Sequence, residues 1–208
     1  LVVGIGEDEF FLASDATPIV EYTDKVVYLE DEEIAVIHRD RELKVVNLNN
    51  VEMTPEVTKV ELNLGQLEKG GYPHFMLKEM YEQPKAILDT FSPRIKGNDI
   101  VIEELGMSDE EIKAIRKIMI VACGSAYHAG VTAKYVMEGM ARIPVETDLA
   151  SEFRYRDPIM EDGTLVVIIS QSGETADSLA ALREAKQRGA KVLGIVNVVG
   201  SSIAREAD

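Results

Sequence analysis

The chain has 208 residues, 46% of them hydrophobic, and a formal net charge of −15 from 37 acids against 22 Lys and Arg. It has room for one large or two small domains, no basic stripe to hold nucleic acid, and no window near the ~20 apolar residues of a membrane span. Cys123 is its single cysteine, which excludes a disulfide framework, while His38, His74 and His128 lack ligand spacing. A cytoplasmic protein without metal or cofactor is the expectation.

Leu1 to Ile5 reads as the inside of a strand. Further strands are predicted over Glu9–Ala13, Lys25–Leu29, Ile34–His38, Leu43–Leu48 and Thr58–Leu62, with a turn at Asn49-Asn50 and acidic turns such as 31–33 between them. This region shows no cluster of nucleophile, base and orienting group. Residues 67–92 form a connection broken by Gly70-Gly71 and Pro73. Phe75 to Pro84 is predicted to make one or two helical turns ended by the proline, with a second helix over Lys85–Thr90. His74 lies in this connection, where a lone histidine is more often structural than catalytic.

From Ser108 strands alternate with helices. Ser108 with Glu111 has the capping-box spacing and opens a short helix to Lys117. Strands follow at Ile118–Ala122, Val145–Thr147, Thr164–Ile169 and Val192–Val196. The helices between them are Tyr127–Met140, a short turn at Ser151–Tyr155, and Ala176–Arg188 closed by Gly189. The last stretch, Ser201 to Glu206, starts a capped helix. Both termini read as cut, so an internal piece of a longer protein is expected. The alternation implies an α/β fold with a parallel sheet, whose ligands sit beyond the carboxyl ends of the strands.

Three loops lie there: Cys123–Ala126, Ser170–Thr175 and Asn197–Ser202, all rich in Gly, Ser or Asn. The second follows an almost continuous apolar strand and leads into a helix, which gathers backbone N–H groups, hydroxyls and a positive helix end at one point. Ser170, Gln171, Ser172, Thr175 and Ser178 exceed what capping needs, although Ser172 or Thr175 alone could serve as a plain N-cap. Neither a P-loop lysine nor a dinucleotide glycine fingerprint is present, so a phosphorylated small molecule fits better than a nucleotide. Cys123 could be a nucleophile with His128 as its base, but a buried structural thiol is the commoner fate. Glu152 could be an acid catalyst or a helix-start carboxylate. Arg154 and Arg156 could reach a partner subunit, or simply form exposed ion pairs.

The segments Ala122–Gly130, Ala150–Arg156 (ASEFRYR) and Ser170–Asp177 (SQSGETAD) resemble the first sugar isomerase (SIS) domain of the glucosamine-6-phosphate synthase family. Phe75–Pro84 resembles that family's linker, and Leu1–Asp15 the closing strands of its glutaminase domain. The resemblance implies the end of an N-terminal-nucleophile glutaminase domain over 1–66, a linker over 67–92, and over 93–208 a truncated flavodoxin-like, three-layer SIS domain. It implies an enzyme that converts fructose 6-phosphate and glutamine into glucosamine 6-phosphate and glutamate, as a homodimer joined through SIS domains. Phosphate and sugar contacts carry over onto Ser125, Ser170, Gln171, Ser172 and Thr175. The family's Cys-Gly-Thr-Ser is Cys123-Gly124-Ser125-Ala126 here, so any hydroxyl contact at Ala126 is lost. The family's catalytic residues fall outside this stretch, and the isolated chain is expected to be inactive. A non-enzymatic sugar-phosphate sensor is the alternative from another class.

Overall fold

A computed structural model describes residues 1–14, 16–38, 42–60 and 69–208. They divide into two compact units, Leu1–Asp99 and Ile100–Asp208.

The first unit is antiparallel. Strand β1 (Val2–Ile5) pairs with β2 (Phe10–Ala13) on one side and β3 (Lys25–Tyr28) on the other. After β4 (Glu33–Ile37), β5 (Leu43–Asn47) and β6 (Glu52–Met53), which form a separate sheet, β7 (Val57–Lys59) returns to pair with β3. Strands β1 and β3 are covered on both faces. Val2 and Val26 pack with Ala16 and Ile19, while Val3 and Val27 pack with Leu29 and Val45. The consecutive valines Val2-Val3 and Val26-Val27 therefore stand where a half-exposed strand would alternate. At Asn47 the side-chain oxygen accepts the N–H groups of Asn49 and Val51, which makes the expected turn. The predicted end of the Thr58–Leu62 strand, at residues 61–62, lies outside the described residues.

One helix, α1 (Phe75–Phe91), runs through Pro84 where a break was predicted. Proline removes the bond to the Met80 carbonyl, but this stretch is exposed, so water can serve that carbonyl. Good helix formers follow the proline, supported by the Lys85–Asp89 pair and by the Thr90 hydroxyl donating to the Ala86 carbonyl at 2.7 Å. A small hairpin, β8 (Ile95–Lys96) with β9 (Asp99–Ile100), follows.

The second unit carries the α/β pattern. The predicted capping box opens α2 (Asp109–Ala114): Ser108 N–H donates to Glu111 Oε2 at 2.8 Å, and Ser108 Oγ accepts from Glu111 N–H at 3.3 Å. The bond to the Ser108 N–H is the main reason the Glu111 carboxyl titrates below its ordinary value. The helix stops before Lys117, where the sequence placed its end, because Arg116 N–H donates to the Gly163 carbonyl and the chain enters the sheet.

Strand β10 (Lys117–Ala122) lies between β11 (Val145–Leu149) and β12 (Thr164–Ser170), and β13 (Lys191–Val196) lies beyond β12. All pairings are parallel. Helix α3 (Gly124–Ala141) covers one face, with Ala133 and Met137 over Ile118, Ile120, Val145, Leu165 and Val167. The other face is covered by α4 (Ala150–Phe153), α5 (Ala176–Gln187) and α6 (Ser202–Glu206). There Phe153, Leu182 and Ile203 pack on Val121, Val166 and Ile168. Each such side chain contributes about 2 kcal/mol on burial. Gly130 lets α3 approach closely, since a Cβ there would lie 2.7 Å from Ile120 Cγ2.

Candidate functional site

Ala122 stands opposite Ile169 in the β10–β12 register, so Cys123 and Ser170 leave adjacent strands at the same level. From β10 the chain crosses to one side of the sheet, to β11, whereas from β12 it proceeds to β13 on the other. Beyond the carboxyl ends of strands at such a divergence is the usual ligand position in a sheet of this kind, here the ends of β10 and β12.

Past β10 the chain turns at once into α3. Cys123 is the N-cap residue but makes no side-chain capping bond, and Gly124 takes φ +58°. The predicted loop 123–126 is therefore largely the first turn of a helix. Ser125 is exposed there and Ala126 half-buried.

Past β12 the turn is braced by its own hydroxyls. Ser170 is 5% exposed; its Oγ accepts from Gly173 N–H at 3.0 Å and lies 3.2 Å from Thr175 Oγ1. Ser172 Oγ accepts from Glu174 N–H at 3.2 Å. Thr175 occupies the N-cap position of α5, yet its side chain makes no capping bond. The plain-cap reading of these hydroxyls therefore fails: the first-turn amides of a 12-residue helix receive nothing from Thr175. Ser172 and Thr175 are half-buried and Gln171 is exposed. Ser178 differs from them. At 1% exposure it faces the interior, so it cannot belong to an open site.

Both acids of the run are engaged. Glu174 Oε1 accepts the Ser202 N–H at 2.7 Å, and Asp177 Oδ1 accepts from Arg154 at 2.8 Å. The Asp177 bond is also the main reason the Arg154 pKa rises. The loop after β13 joins the same structure. Asn197 N–H donates to the Gln171 carbonyl at 3.3 Å, and Ile203 N–H to the Gly173 carbonyl at 3.0 Å. Gly173 has φ +67°, and a Cβ there would stand 2.0 Å from Ser201 Oγ. The Ser202, Arg154 and Ile203 partners of Glu174, Asp177 and Gly173 were not visible in the sequence, because each lies more than twenty residues away along the chain.

The remaining candidates fall outside this arrangement. Cys123 is half-buried and packed against the core, while His128 is exposed and edges the Tyr127 ring at 5.4 Å. No hydrogen bond joins Cys123 to His128 among the described residues. Arg156 pairs with Asp148 of its own chain at 2.6 Å, so both arginines have internal partners. Glu152 is exposed, and His74 is the N-cap of α1 without a capping bond. Among the described residues no group of three or more His, Cys, Asp or Glu could hold a metal ion, and no helix is long and apolar enough to cross a membrane.

A parallel sheet with this strand-end turn defines a class of fold, and residues 111–208 match the model of the SIS domain. Along nearly its full length the chain is similar to glutamine–fructose-6-phosphate aminotransferase (isomerizing). It is 63% identical to the enzyme of Bacteroides thetaiotaomicron over 99% of its length, and 52% identical to that of Clostridium tetani over all of it. It spans 34% of each of these relatives. A solved C-terminal domain of glucosamine-fructose-6-phosphate aminotransferase from Francisella tularensis superposes with TM-score 0.63 at 45% identity. That match covers 68% of this chain and 40% of the other.

Proposed function

We propose that the region beyond the carboxyl ends of β10 and β12 binds the phosphate end of fructose 6-phosphate, within an enzyme that converts this sugar and glutamine to glucosamine 6-phosphate and glutamate. The uncapped amino terminus of α5 carries the reading: its N-cap hydroxyl turns to Ser170, and both nearby acids are bonded elsewhere. An anion completes such a helix end better than any group the chain offers it. Ser172, Thr175 and Gln171 supply donors on this side and Ser125 on the α3 side. Ser170, nearly buried, holds Thr175 and the turn in place.

The segment is read as one that binds and orients the sugar phosphate rather than reacts with it. The 1–66 region is read as the end of a glutaminase domain, 67–92 as a linker and 93–208 as SIS. Glutamine is assigned to the glutaminase domain, and assembly to a cytoplasmic homodimer through SIS domains. The purified 208-residue chain is expected to bind fructose 6-phosphate without producing glucosamine 6-phosphate.

A thermal-shift titration with fructose 6-phosphate against fructose tests the site. Ligand at about a hundred times Kd stabilises by about 2.7 kcal/mol, so the phosphate ester should raise Tm where fructose does not. A Ser172→Ala, Thr175→Ala double change should abolish the difference. An equal response to both sugars in the unaltered chain would remove the anion site.

A further inference from the structure

Two acids, Glu174 and Asp177, stand in the run that the previous subsection assigns to a phosphate ester. Near an anion a free carboxylate is a liability. Asp177 is drawn off by Arg154, but Glu174 is turned to a different use. Its carboxylate accepts the Ser202 N–H, the first amide of α6, which no residue within that helix can serve. We propose that Glu174 is a positioning residue for the anion site, holding the 171–175 turn in its binding shape through Ser202 without touching the ligand. The proposal rests on that reading of the site.

Three hydrogen bonds tie this turn to the segment after β13. Two use the main-chain carbonyls of Gln171 and Gly173, which survive most substitutions. Glu174 supplies the third, the one made by a side chain, and a carboxylate on an amide at 2.7 Å is the strong, charge-assisted kind. The same residue acts at a second point, since its N–H donates to Ser172 Oγ at 3.2 Å. A hydroxyl has one proton and two acceptor positions. Because Glu174 fills an acceptor position of Ser172, the Ser172 proton remains available to an anion. Anchoring Glu174 at its carboxylate therefore also fixes where Ser172 points.

Reach and chemistry make separable demands. Glutamine keeps a carbonyl oxygen at the same distance, aspartate keeps the charge one methylene shorter, and alanine keeps neither. The test measures Kd for fructose 6-phosphate by calorimetry on the full 208-residue chain carrying Glu174→Ala, Glu174→Gln or Glu174→Asp. Amide exchange at Ser202 is followed alongside. Glu174→Ala should weaken binding about tenfold or more, the scale of a lost hydrogen bond to a charged group. Ser202 exchange should quicken in that variant. Glu174→Gln should stay within about threefold of the unaltered chain and keep Ser202 protected, whereas Glu174→Asp should resemble Glu174→Ala. Unchanged or tighter binding by Glu174→Ala would overturn the proposal. So would a lowered Tm with unchanged Kd, which marks a role in α6 alone. If Glu174→Ala does not fold, the other two variants decide, and strong binding by aspartate with weak binding by glutamine overturns it. Failure of the unaltered chain to distinguish fructose 6-phosphate from fructose is a separate result, which removes the site itself and the proposal with it.

Discussion

After β10 the chain enters α3 over Cys123 and Gly124, with no capping bond and open space around the glycine. After β12 the chain needs Gln171–Thr175 to reach α5, and those residues are cross-bonded to one another and to the segment 197–203. The two turns leave adjacent strands at the same level but are stabilised differently. Strand and helix alone carry the first, whereas the second has a shape of its own that particular residues maintain. Ser125 on the first turn is exposed, while much of the polar chemistry of the second holds the turn itself. Substitution should therefore damage the fold unequally at two positions that look alike in sequence, each a glycine just past a strand.

Gly173→Ala should have the largest effect. Both Gly124 and Gly173 sit at positive φ, +58° and +67°, which costs an alanine about 1–2 kcal/mol at either site. Only at Gly173 does the new Cβ also collide, 2.0 Å from Ser201 Oγ and 2.5 Å from its Cβ. Overpacking adds about 1–3 kcal/mol, so Gly173→Ala should cost about that much more than Gly124→Ala in urea unfolding of the chain. Equal losses would mean that the segment after β13 gives way easily, and that the second turn is no more specified than the first.

What the sequence disclosed follows the same division. Strand β12 was legible as an apolar run bounded by polar residues, α5 as a 3.6-residue apolar period, and α2 from the Ser108–Glu111 spacing. Each of these signals lies within one element. The crowding of hydroxyls at 170–175 was legible too, and so was the convergence of the loops after β12 and β13. The use of each residue was not. Thr175 reads as an N-cap from its position, and only the buried Ser170 beside it explains why it does not cap. Glu174 reads as an exposed acid, and its partner Ser202 lies 28 positions on. Pro84 misled because a local penalty was set against a helix of 17 residues, and the rest of the helix prevailed. Local patterns report periodicity and termini, whereas the choice between two hydrogen-bond partners depends on which distant segment the sheet order brings alongside.

A smaller effect is expected from Arg154→Ala, which leaves Asp177 unpaired in the first turn of α5. Because both side chains are partly exposed, at 30% and 40%, the ion pair itself stabilises by less than about 1 kcal/mol. Unfolding should change little. Fructose 6-phosphate affinity should fall several-fold, since a free carboxylate then competes for the same helix end, and Asp177→Asn added to Arg154→Ala should restore it. Loss of affinity that the second change fails to repair would show Arg154 acting on the ligand directly, and would move the positive charge of the site from the helix end to that side chain.

Ser201→Ala should have the least effect of all, and it tests which residue holds the start of α6. Ser201 stands at the N-cap of that helix, where serine-to-alanine changes ordinarily cost about 1 kcal/mol because a capping bond is lost. Here Ser201 Oγ makes no capping bond, is buried at 3% residue exposure, and finds no hydrogen-bond partner among the described residues. The end of the helix is served instead by Glu174 and by the Gly173 carbonyl. Removing a buried hydroxyl without a partner gives back its desolvation cost, so stability should stay within about 0.5 kcal/mol of the unaltered chain or rise slightly. The change also leaves the Cβ that crowds Gly173, so the Gly173→Ala penalty should fall only in part in the double variant. A loss near 1 kcal/mol for Ser201→Ala alone would mean that its hydroxyl caps α6 in solution, and the contrast between a bare turn and a side-chain-braced one would then rest on Ser170 and Ser172 without Glu174.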